Sequence, residues 1–178
     1  VLKHNPKKPK WEGRDRFILS NGHVCPGLYV TMANAGYFPK KELWTLRKFG
    51  SRLQGHPHRS ALPGLETTSG PLGSGLSQGA GMALSFQRDN KKNKVFVMCG
   101  DGEQDEGNHW EAVMFAGKHK LSNLIAITDR NYIQIDGNTE DVMPLDPLDK
   151  KYEAFNWDVK VIDGNDMKQV LKALQQSR

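Results

Sequence analysis

Cysteine is scarce: Cys25 and Cys99 are the only two in 178 residues, and no C-x-x-C spacing joins them. That excludes a dense disulfide framework, and both thiols read as reduced, Cys99 as a buried strand residue. Long apolar runs are also lacking. No stretch nears the ~18 residues of a membrane span, and Val1 to Lys10 is polar and basic where a secretory leader would be apolar. A cytoplasmic protein without membrane contact is expected. The net charge of +5 comes without a zinc finger, an RNA-binding aromatic signature or a helix-turn-helix, so no nucleic-acid role is expected. His56-Pro57-His58 invites a zinc site but lacks third and fourth ligands at local spacing. Two phosphate-loop signatures are missing as well. No Gly-Lys-Ser or Gly-Lys-Thr occurs, and Gly79 follows Gly73 and Gly75 one residue too late for a dinucleotide fingerprint.

What is present is one α/β domain's worth of chain, 37% apolar and free of internal repeats. Val95 to Met98 and Leu124 to Ile127 are nearly continuous apolar runs, the pattern of parallel strands covered on both faces. The first leads into Gly100-Asp101-Gly102 and the second into Asp129-Arg130-Asn131, with 28 residues between Gly102 and Asn131. That length suits one right-handed crossover, so Asp101 and Asn131 are expected as neighbours at the carboxyl edge of the sheet, where such folds bind ligands. A carboxylate and an amide oxygen there suit a Mg²⁺ that keeps its other positions for diphosphate oxygens and water.

A second glycine-rich element, Thr67 to Gly81, offers exposed backbone groups and leads into a helix from about Leu76 to Arg88. Its small residues Gly79, Ala80, Gly81 and Ala83 also suit close helix packing. Further helices are expected at Cys25 to Ala35, Lys40 to Phe49, Glu106 to His119 and Asp166 to Gln176, the last capped by Asn165 or Asp166. Trp157 to Ile162 reads as a strand and Val1 to Gly13 as an extended arm. Arg52 to Thr68 and Asn138 to Lys151 read as loops.

Taken in order, Ser20-Asn21-Gly22-His23, Gly55-His56-Pro57, Thr68-Ser69-Gly70-Pro71-Leu72-Gly73, Gly100-Asp101-Gly102 with Glu106-Gly107, and Asn131 with Ile135-Asp136-Gly137 resemble transketolase. The likeness runs from about Asp15 to Asp166 and is greatest to the N-terminal subunit of transketolases split into two chains. It implies an α/β fold with a central parallel sheet and helices on both faces, binding the diphosphate of thiamine diphosphate, with Mg²⁺. Asp101 and Asn131 would hold the metal with the backbone carbonyl of Ile133, and Gly102 would offer its N–H to the diphosphate. Gly70, Pro71 and Leu72 would lie beside the cofactor rings, His23 near diphosphate and substrate, and His56 at the bound sugar. Glu106 would reach across a subunit interface, or serve only as a carboxylate at a helix N-terminus.

The resemblance also implies a partner: a second chain with the pyrimidine-binding and C-terminal domains, sugar phosphates as substrates, and a heterotetramer as the assembly. Residues 1–178 read as a single domain, open to truncation at both ends. The excess positive charge sits largely in Lys3 to Lys10 and Lys91 to Lys94 and reads as solvated surface charge; a basic surface around the site would instead help attract anionic sugar phosphates. Tyr132 stands where the family commonly has a small residue. Cys25 and His58 also depart from the usual pattern, which points to a shifted substrate preference. A different thiamine diphosphate enzyme, or a noncatalytic module keeping the fold, are the competing expectations.

Overall fold

The computed structural model describes residues 1–135 and 137–178. Three parallel strands, β1 (Arg16–Leu19), β2 (Val95–Gly100) and β3 (Leu124–Asp129), form a sheet in that order, with Ile18 beside Val97 and Gly100 beside Asp129. Side chains alternate across a strand. Ile18, Val97 and Cys99 therefore face one layer, which contains α2 (Ser74–Arg88) and α3 (Gly107–Lys118). Leu19 and Met98 face the other, packing with α1 (Cys25–Asn34), Leu53 and Leu62. Helices cover both faces, as the apolar runs of β2 and β3 require.

Close approach of α2 depends on missing side chains. A Cβ on Gly79 would lie 2.5 Å from Val97 Cγ2, and one on Gly75 would lie 2.4 Å from Ser20. Ala80 and Ala83 are buried in the same core. Gly81 is not part of this contact, because nothing lies within 4 Å of its Cβ position.

Several local expectations change. Lys40 to Phe49 forms only a 3-10 helix, Lys40–Thr45, because the chain turns at Arg47, whose φ is 59° and whose N–H donates to Leu53 O at 2.9 Å. Residues 157–162 pair with no strand among the described residues; Trp157 instead donates to Val113 O at 3.1 Å, and Val161 is exposed. Val1 to Gly13 is not an extended arm: it turns, with Lys8 N donating to Asn5 O at 3.1 Å and Trp11 N to Lys8 O at 2.9 Å, and it is tied down where the buried Asp15 carboxylate accepts from Lys3 N at 2.8 Å. The acidic segment after Asn138 contains α4 (Thr139–Val142) and leads into α5 (Leu148–Ala154). A two-residue hairpin pair, β4 (Ile133–Gln134) and β5 (Gly137–Asn138), precedes it. The final helix, α6 (Met167–Gln176), takes Asp166 as its cap, the carboxylate accepting from Lys168 N at 2.8 Å.

Candidate functional site

The carboxyl ends of β1, β2 and β3 lead into Ser20-Asn21-Gly22-His23, Gly100-Asp101-Gly102 and Arg130-Asn131-Tyr132. Because the strands are parallel and in register, these loops share one edge. Asp101 is buried, with 1% of its surface exposed. Its Oδ1 accepts from Gly102 N at 2.8 Å, while Oδ2 accepts from Tyr132 N at 2.7 Å and Arg130 Nη1 at 3.1 Å. Asp101 thus holds the turn that carries Asn131. The expected neighbourhood of the two loops is present. Tyr132 meets it with a left-handed backbone, φ 64°, and its ring lies 3.9 Å from the Arg130 guanidinium carbon. A small residue is not required there, because stacking on the cation offsets part of the strain.

Asn131 is exposed and its Oδ1 accepts from Ile133 N at 2.8 Å, an Asx turn that places Asn131 and Ile133 on the same bend. Its amide donates to Asp129 Oδ2 at 3.1 Å. Ile133 is 71% exposed at the start of the hairpin. Asp136, the last acidic residue of the matched motif, lies outside the described residues.

A residue absent from the expected set organises the other side of the crevice. Glu103 is buried; its Oε2 accepts from Ser20 Oγ at 2.5 Å and Gly73 N at 2.9 Å, and its Oε1 accepts from Gly100 N at 2.8 Å. Gly75 N donates in turn to Ser20 Oγ at 3.2 Å. One carboxylate therefore ties together the loops after β1 and β2 and the glycine loop before α2. No spacing rule points to Glu103. A carboxylate directly after a Gly-Asp-Gly turn, with three glycine-rich segments in search of an acceptor, was the available signal.

His56 and His23 are both exposed. A Cβ on Gly22 would stand 2.6 Å from Ser69 Cβ and 3.0 Å from His56 Cδ2, so the segments carrying His23, His56 and Gly70-Pro71-Leu72 meet. Ser69 Oγ donates to Leu19 O at 2.5 Å, fastening the last of them to the end of β1. Gly70, Pro71 and Leu72 are exposed along this rim, and Gly73 turns with φ 72° into α2. Glu106 is exposed at the start of α3 with no side-chain cap bond.

Beneath the crevice lies a buried polar network. Gln104 donates to Gly100 O at 3.3 Å and Thr128 Oγ1 at 3.0 Å and accepts from Tyr152 Oη at 3.1 Å. Tyr152 Oη is 2.6 Å from His109 Nε2. Burial drives the His109 pKa down to about 4 and raises that of Tyr152, so both are neutral near pH 7.

The residues fit a metal-bound diphosphate. A carboxylate and an amide oxygen stand at one edge, beside a Gly100 to Gly102 turn whose Gly100 and Gly102 N–H groups are held by Glu103 Oε1 and Asp101 Oδ1. The buried Asn21 Oδ1 beside Gly100 has no hydrogen-bond partner in the protein, leaving an acceptor for a bound group. Among the described residues no three His, Cys, Asp or Glu side chains cluster as metal ligands, so a cation here must draw on neutral oxygens and on the ligand itself.

The family model described as transketolase, thiamine diphosphate binding domain, matches residues 1–178. The chain belongs to the transketolase family. It is 44% identical over all of its length to SqwG, a 6-deoxy-6-sulfo-D-fructose transketolase subunit of Clostridium sp. (strain MSTE9), spanning 65% of that relative. Over 98% of its length it is 44% identical to one subunit of the apulose-4-phosphate transketolase of Phocaeicola vulgatus, spanning 62% of it. Crystalline transketolase from Campylobacter jejuni matches with a TM-score of 0.94 at 36% identity, over 99% of this chain and 29% of that one. The parallel sheet with helices on both faces is thus the transketolase fold. Among the described residues no helix is long and apolar enough to cross a membrane.

Proposed function

We propose that this transketolase-family chain is the diphosphate-binding component of a cytoplasmic enzyme that moves a two-carbon ketol unit from a ketose phosphate to an aldose phosphate, as in the pentose phosphate pathway. The observation that carries this reading is the bond from Tyr132 N to the buried Asp101, which sets the Asn131 turn beside the Asp101 carboxylate at the sheet edge. Asp101, Asn131 and the Ile133 carbonyl would hold Mg²⁺, and Gly102 N–H, which donates to Asp101 Oδ1 in this structure, would exchange that bond for one to the diphosphate. When bound, thiamine diphosphate would supply a nucleophilic ring carbon and an electron sink for the two-carbon transfer. Gly70, Pro71 and Leu72 orient its rings through backbone groups. His23 donates to diphosphate and substrate and His56 to the sugar, stabilising charge that develops on oxygen.

Both relatives are named as subunits, which supports a partner chain with the pyrimidine-binding domain; we place the two in a heterotetramer, with Glu106 at the shared interface. Those names also favour a second reading within the same chemistry. One relative is named for a sulfonated fructose and the other for apulose 4-phosphate, so the ketose here need not be a common pentose or hexose phosphate. A coupled assay of ketol transfer over a panel of ketose donors tests both. The chain with its partner is expected to turn over one donor, and the chain alone none. Full activity of the chain without a partner contradicts the two-chain reading, and silence with every donor and partner favours a noncatalytic module.

A further inference from the structure

Arg130 has no role in the site as proposed, yet it touches the metal carboxylate. Its Nη1 lies 3.1 Å from Asp101 Oδ2 and 2.6 Å from Thr139 Oγ1; its Nη2 pairs with Glu140 and lies 3.2 Å from Asp146 Oδ1. The Tyr132 ring covers one face of the guanidinium. We propose that Arg130 is a resident counter-charge on the metal carboxylate that makes entry of the divalent cation conditional on entry of the diphosphate. The inference rests on Asp101 being a metal ligand.

The argument is electrostatic. Asp101 has 2% of its side chain exposed and faces Arg130 with little solvent between them, whereas Glu140 and Asp146 are 30% and 48% exposed and are better screened. A divalent cation arriving alone at Asp101 meets a fixed positive charge already bound to the same oxygen. A diphosphate brings several negative charges, which favour both cations and remove that opposition. Arg130 is thus a positioning residue: it holds Asp101 in place when no ligand is present, weakens binding of the metal by itself, and leaves binding of the metal with diphosphate intact.

Mn²⁺ titrations followed by electron paramagnetic resonance on the full chain, with and without inorganic pyrophosphate, test this, free Mn²⁺ being corrected for the soluble Mn²⁺-pyrophosphate complex. Arg130→Gln should bind Mn²⁺ alone about tenfold more tightly, and the gain on adding pyrophosphate should shrink by about the same factor. Glu140→Gln, which leaves more of the Arg130 charge uncompensated, should move Mn²⁺ affinity the other way, about threefold weaker. Opposite signs are not expected of residues that merely brace the fold. Weaker or unchanged Mn²⁺ binding in Arg130→Gln overturns the proposal; should that variant not fold, unchanged or tighter binding in Glu140→Gln does so. Asp101→Ala separates the two levels. If it retains Mn²⁺ binding, the metal site and the counter-charge fall together; if it loses binding while the Arg130→Gln result is negative, only the counter-charge falls.

Discussion

Glu103 Oε2 accepts the Ser20 hydroxyl at 2.5 Å across 83 positions of sequence, inside the protein. Three donors surround the carboxyl group and meet its need for hydrogen bonds in a buried site. Glu103→Gln sets an amide N–H₂ against one of those donors, and Glu103→Ala leaves all of them unpartnered. Denaturant unfolding should show a loss of about 1–3 kcal/mol for the glutamine variant and more for the alanine variant. Both should bind thiamine diphosphate less tightly, since the loops around the crevice are no longer tied. Wild-type stability in Glu103→Ala would remove Glu103 from this role.

Gly79 packs α2 onto β2 with no room for a methyl group. Gly79→Ala gains helix propensity but forces Val97 or the helix to shift, and overpacking of this kind typically costs about 1–3 kcal/mol. Gly81→Ala, on the open side of the same helix, should be neutral or slightly stabilising. Paired thermal melts of the two variants decide between the positions; equal melting temperatures would contradict the packing described.

His109 makes stability depend on pH. Its folded pKa of about 4 lies below the ordinary value of 6.5, so the unfolded chain binds the extra proton first. The contribution is fully present above pH 6.5 and is lost as pH falls from there towards 4. At pH 4.5 the loss should be about 2–3 kcal/mol relative to pH 7.5. His109→Gln should lack that part of the pH dependence, and an unchanged difference between the two pH values in the variant would show that His109 is not its source.

His56 stands on the exposed rim beside Gly22 and Ser69 and is not among the hydrogen-bond partners found for Asp101. His56→Ala is expected to lower kcat or raise KM for the ketose while leaving cofactor affinity nearly intact. Steady-state kinetics and cofactor titration must separate. Loss of cofactor binding at saturating Mg²⁺ would assign His56 to the cofactor instead of the sugar.

Much of the crevice was legible because the apolar runs of β2 and β3 and the length of their connection dictate which turns meet. That is why Asp101 and the Asn131 turn could be placed together from spacing alone. The role of Glu103 was not legible, since its donors come from segments brought together only by the packed sheet. Arg47 hid the end of the expected 40–49 helix: a left-handed backbone at an ordinary residue leaves no mark in a sequence. Residues 157–162 have strand composition but no neighbouring strand to pair with among those described, and tertiary context overrode the propensity.

Calorimetric titration of thiamine diphosphate into the chain assembled with its partner, with and without Mg²⁺, tests the central claim most directly. On the proposed reading Mg²⁺ has few protein ligands, and the Asp101 carboxylate would carry most of its binding. The wild type should bind the cofactor tightly only with Mg²⁺. Asp101→Ala should lose the Mg²⁺ dependence and most of the affinity, with Asn131→Ala milder in both. Unchanged, Mg²⁺-dependent affinity in Asp101→Ala would contradict the assignment of this edge of the sheet as the diphosphate site.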